Sequence, residues 1–74
     1  MVKLLKDNFD GAIADYDKTL NYDAKDAISW NNRGIAKREK GDRSGAVADF
    51  RKALEINPAL SSARNSLHEL GVEP

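Results

Sequence analysis

His68 is the only histidine of this chain, and cysteine is absent. A zinc site therefore has no support, since that chemistry needs spaced imidazole or thiolate ligands. Asp15, Asp17, Thr19 and Asp26 set oxygen atoms at intervals that faintly imitate a calcium loop. The imitation fails at Leu20, where the sharp turn of such a loop requires glycine. Ser44, Ser61, Ser62 and Ser66 sit at no spacing that would join a nucleophile to a base and an orienting group. Gly41 and Gly45 stand apart from any phosphate-cradling pattern and read as punctuation between helices. The residues thus predict no catalysis and no metal or cofactor.

Twelve basic and twelve acidic side chains cancel in a chain of 74 residues. A net charge of zero argues against nucleic acid and anionic membranes as partners, because both are reached through a surplus of positive charge. No run is apolar enough to span a bilayer. Val2-Lys3-Leu4-Leu5-Lys6-Asp7 is too quickly charged for a secretory signal, so a cytoplasmic address is the default expectation. The length suits one small domain with a shallow core.

The elements that must position any working surface are helical. Between Gly11 and Tyr22, the residues Ala12, Ile13, Tyr16, Thr19 and Leu20 recur by threes and fours, as one helical face requires. From Asp26 to Lys40 the positions Ala27, Trp30, Gly34 and Ile35 do the same, and Gly41-Asp42 marks the stop. Ser44 is the expected cap of a third helix with Ala46, Val47, Phe50, Ala53 and Leu54 inward, halted at Asn57-Pro58. Ser61 or Ser62 is expected to open a last helix with Ala63, Leu67 and Leu70 inward, closed by a left-handed Gly71. Short connections imply antiparallel neighbours.

The chain also repeats itself. Gly11-Ala12-Ile13-Ala14-Asp15-Tyr16 returns 34 residues later as Gly45-Ala46-Val47-Ala48-Asp49-Phe50. A fixed period of this length marks units that cannot bury their apolar faces alone and stack to do so.

Residues 27–60 resemble one complete tetratricopeptide repeat, with Trp30, Gly34, Ala46, Phe50, Ala53 and Pro58 at the aromatic, small and proline positions of that family's pattern. Arg33 replaces the usual leucine, and Lys37 and Arg43 replace usual aromatics. The resemblance divides the chain into a truncated first repeat at 1–26, the complete repeat at 27–60, and a capping helix and tail at 61–74. In the last segment Arg64 and His68 take the aromatic and glycine positions. It implies an all-α fold, a short right-handed solenoid of antiparallel helix-turn-helix units, and an interaction module that works without a cofactor.

By the same resemblance, a peptide would lie in a concave groove lined by Ile28, Asn31, Asn32, Ile35, Arg38 and Glu39 and continued by Ser62, Asn65, Ser66 and Glu69. Asn31 and Asn32 are favoured because an amide both donates to and accepts from a peptide backbone. The carboxylate clamp by which some members hold acidic chaperone tails is disfavoured, since only Asn32 fits it, while Met1, Ser62 and Ser66 do not. The partner implied is a protein or peptide. The alternative is a homodimer through an N-terminal edge of Val2, Leu4, Leu5 and Phe9, backed by Tyr16, that lacks a covering helix. Arg33, Lys37, Arg38, Lys40 and Arg43 make one segment basic, whereas Asp7, Asp10, Asp15, Asp17, Asp23 and Asp26 make another acidic. Internal ion pairing is the favoured reading of that asymmetry, with Glu39–Arg43, Asp15–Lys18 and Asp49–Lys52 as expected pairs.

Overall fold

A computed structural model describes residues 8–72 of the chain. Four helices follow one another: α1 (Phe9–Tyr22), α2 (Ala27–Lys40), α3 (Arg43–Ile56) and α4 (Ser61–Glu69). No strand occurs among the described residues. The expected all-α repeat architecture is what forms.

Local chemistry sets the helix starts. Asn8 accepts from the Gly11 N–H, Asp26 from Ser29 and Asp42 from Gly45, each satisfying an amide that the helix itself leaves open. Asp42, not Ser44, is therefore the cap of α3; its carboxylate reaches back over the first turn, and Ser44 is already inside the helix. Likewise α1 begins at Phe9, two residues before the expected start, because Asn8 supplies the cap. Neither Ser61 nor Ser62 caps α4. Leu60 occupies that place and has no side-chain acceptor to offer.

The ends alternate in kind. α2 stops at Gly41, whose φ of 101° is left-handed, with Gly41 N–H bonded to the Arg38 carbonyl and Asp42 N–H to that of Lys37. Beyond α4 the same pattern returns at Gly71, φ 79°, with Val72 N–H reaching the Leu67 carbonyl. Glycine serves both places because side chains strain that conformation. α3 ends instead at Asn57 in an extended conformation, as the following Pro58 demands.

The core runs through the middle of the repeat. Ala46, Phe50, Ala53, Ala63 and Leu67 are fully enclosed, with Trp30, Ile35, Val47, Leu54, Leu60, Leu70 and Val72 packed around them. Gly34 explains how closely α2 and α3 approach: a Cβ there would stand 2.7 Å from Phe50 Cε1 and 3.2 Å from Asp49 Cβ. Glycine on one helix makes room for the aromatic on the other. On α1 only Leu20 is fully buried, while Ala12, Ile13 and Tyr16 are half-buried. Thr19, expected inward, is exposed, and its hydroxyl donates to the Asp15 carbonyl one turn back.

Candidate functional site

α2 meets α4 at two points along their lengths. Asn31 Nδ2 donates to Ser62 Oγ at 3.0 Å, and Arg38 Nη1 donates to Glu69 Oε1 at 3.2 Å. Both pairs are separated by 31 residues. Because the offset is constant over two helical turns, α2 and α4 run side by side in the same direction, with α3 returning the chain between them. This parallel pair forms one face of the molecule.

On that face Ile28 stands 53% exposed, an unusual amount for an isoleucine beside a core. Asn32 and Ile35 are half-buried, and Glu39 is exposed one turn further on. Their spacing by fours and threes places all four on one stripe of α2. Ser62, Asn65 and Glu69 are exposed along α4. Asn31 and Ser66 lie deeper, at 4% and 7% exposure, so they form the floor between the helices rather than its rim. Arg38 is half-buried and shared between Glu69 and Glu39, the latter at 3.7 Å. Of the proposed N-terminal edge, Phe9 is half-buried, and Val2, Leu4 and Leu5 lie outside the described residues.

The opposite side of α2 holds a charge cluster whose membership the spacing did not reveal. Asp49 of α3 is 2% exposed, and its two carboxylate oxygens accept from Arg33 Nε and Nη2, both at 2.8 Å. Lys37 Nζ approaches the same carboxylate at 3.3 Å. Arg33 also reaches Asp17 of α1 at 2.7 Å and stacks over Trp30, 4.8 Å from the ring centroid. One guanidinium thus joins three helices. The Asp49 hydrogen bonds chiefly hold its pKa above the ordinary arginine value, against the opposing effect of burial.

Two of the pairings expected along single helices, Asp49–Lys52 and Glu39–Arg43, give way to other partners. Asp49 serves Arg33 and Lys37 rather than Lys52, which turns to Glu55 at 2.9 Å. Glu39 faces Arg38, whereas Arg43 donates to the Leu70 carbonyl. Lys40 pairs with Asp10 across the α1–α2 boundary. With Arg33–Asp17, that bridge shows where part of the charge asymmetry goes: the acidic α1 neutralises the basic α2. Arg33 at a customary leucine position was the available signal, because a buried cation demands a nearby carboxylate.

Two open hollows, of about 410 and 330 Å³, flank the turns at Lys25–Lys52–Ile56 and at Lys18–Tyr22. They are repeat equivalents: Lys18, Asn21 and Tyr22 recur as Lys52, Glu55 and Ile56. Only the larger, at Lys52–Ile56, is walled by a preceding turn, Ala24–Lys25. Among the described residues, no cluster of His, Cys, Asp and Glu is arranged to hold a metal, and no helix is long and apolar enough to cross a membrane.

No curated protein and no solved structure matches this chain. A family model described as tetratricopeptide repeat matches residues 27–60, the segment that contains α2 and α3. Units of that family generally mediate contacts between proteins. The match covers the pair of helices held together by Gly34 and Phe50, and this unit, residues 27–60, is a tetratricopeptide repeat.

Proposed function

We propose that the α2–α4 face receives a segment of a protein partner, with Ile28 as the apolar contact and Asn32 as the amide that reads the peptide main chain. The observation carrying this reading is the exposed Ile28 in line with Asn32, Ile35 and Glu39 on a helix whose other side is fully engaged. The face is preformed: Asn31–Ser62 and Arg38–Glu69 fix α4 against α2 before any partner arrives. A rigid receptor lowers the ordering cost of binding. Residues 1–26 act as the truncated repeat, whose α1 lies against α2, 27–60 as the repeat, and 61–74 as the cap.

The cap assignment has a steric basis. His68 stands 34 positions after Gly34, where a side chain on α2 would collide with Phe50. A further aromatic-bearing helix therefore cannot approach α4 at His68 as α3 approaches α2. Peptides selected from a random displayed library against the whole chain test the reading. Ile28→Glu and Asn32→Ala should each weaken the selected peptides about tenfold or more, as loss of a buried apolar anchor or a main-chain hydrogen bond predicts. Binding indifferent to both substitutions would contradict it.

A further inference from the structure

α4 starts differently from the other helices. α1, α2 and α3 each have a side-chain acceptor at the N-cap, but Leu60 provides none. The Ala63 and Arg64 N–H groups return to the Leu60 carbonyl. Those of Ser61 and Ser62 find no acceptor among the described residues. Two amide donors at the positive end of a helix are therefore open.

A second feature meets them there. Asn31 is 4% exposed, and its Nδ2 is bonded to Ser62 Oγ. Its Oδ1 is buried without a hydrogen-bond partner. Buried acceptors of this kind are uncommon because leaving one unmade is costly. Unused donors and an unused acceptor thus belong to residues that the Asn31–Ser62 bond joins at the end of the proposed groove. They complement a group that carries an acceptor and a donor together. One residue of an extended peptide does so, since its own N–H and C=O lie on the same edge of the strand.

We infer that the α4 N-terminus and Asn31 form a docking point for the main chain of one extended peptide residue. Its N–H donates to Asn31 Oδ1, and its carbonyl or terminal carboxylate oxygen accepts from the Ser61 and Ser62 amides. Ser62 is exposed, so its hydroxyl can turn from Asn31 toward the groove while Arg38–Glu69 and the core contacts of Ala63 and Leu67 still hold α4 in place. This inference rests on the peptide-groove reading and adds what is recognised at this end: backbone atoms, independent of side-chain type. The oxygen can belong to an internal peptide bond or to a C-terminus, and the helix dipole favours the charged form.

The test is a titration of the whole chain, followed by amide NMR, with N-acetyl-alanine, N-acetyl-alanine amide and acetate as probes. Both alanine compounds should shift the Ser61 and Ser62 amides and the Asn31 side-chain NH2 signals, and acetate, which lacks the donor, should shift them more weakly. Tighter binding of the acid than of the amide assigns the site to a C-terminus; equal binding assigns it to an internal bond. Asn31→Leu, which keeps the branching but neither polar atom, should weaken both about tenfold. Ser61→Pro offers a second probe, because proline is tolerated at the first helical position and removes one donor. Absent shifts, or shifts unchanged by both substitutions, overturn the inference. A longer selected peptide that still perturbs Ile28 and Asn32 but ignores Asn31→Leu and Ser61→Pro overturns it alone and leaves the groove reading standing.

Discussion

Arg33 has one guanidinium answering two carboxylates and an indole, and the buried member of that set, Asp49, has most to lose. If Arg33 is replaced by leucine, the family's usual residue at this position, Asp49 keeps only Lys37 at 3.3 Å. An under-compensated buried charge costs about 3–5 kcal/mol. Urea unfolding of Arg33→Leu should therefore show a loss of about 3 kcal/mol, most of which Arg33→Leu/Asp49→Leu recovers. A single substitution as stable as the parent would show that the cluster is incidental. Lys40 poses the exposed counterpart. Its hydrogen bond with Asp10 raises its pKa above the ordinary lysine value. Since the folded-state value is the higher, the pair's contribution is present below the unfolded value and disappears as pH rises through the folded one, an alkaline window. NMR titration should place the Lys40 midpoint above its ordinary value, and Asp10→Asn should remove most of that rise. The sequence exposed these charges as opposing blocks but not as partners, because spacing along a helix says nothing about which helix lies across from it.

At the scale of the elements, the approach of α2 to α3 rests on one missing methyl group. Alanine is the better helix former by about 1 kcal/mol, yet Gly34→Ala would press a Cβ to 2.7 Å from the Phe50 ring. Overpacking of that kind costs about 1–3 kcal/mol, so the variant should be destabilised by about 1–2 kcal/mol in urea unfolding. Asp42→Ala should cost about 1 kcal/mol by leaving the Gly45 N–H unmet, whereas Ser44→Ala should cost little. Helix number and order, Gly41, Gly71 and the Pro58 stop were legible because each has a local cause: period, positive φ, or the geometry before proline. The caps were less legible. Ser44 and Asp42 are both competent N-cap residues two positions apart, and only the backbone path decides which one faces the open amides. Leu60 at the head of α4 was invisible, since no local rule selects leucine for an N-cap.

Across the whole molecule, the described chain is a slab 17 Å thin and 39 Å long, which matches two helical layers and offers broad faces rather than an enclosed cavity. The repeat was legible from the 34-residue recurrence because stacking imposes the same small and aromatic residues on each unit. The depth of the face was not. Asn31 and Asn32 are neighbours in sequence, but one is floor and the other rim, a distinction set by how α4 leans on α2. If that face is the working surface, light scattering should give a mass of 8.2 kDa across a wide concentration range, unaltered by Leu5→Lys. A dimer dissolved by Leu5→Lys would transfer the leading role to the N-terminal edge. The most direct measurement is an amide NMR titration with a library-selected peptide, mapped residue by residue. Saturable shifts gathered on Ile28, Asn32, Ile35, Glu39, Asn65 and Glu69, with Asn31, Ser61 and Ser62 at the groove's end, are the predicted result. Shifts gathered instead around Tyr22, Arg51 and Lys52 would contradict the α2–α4 face as the site of recognition.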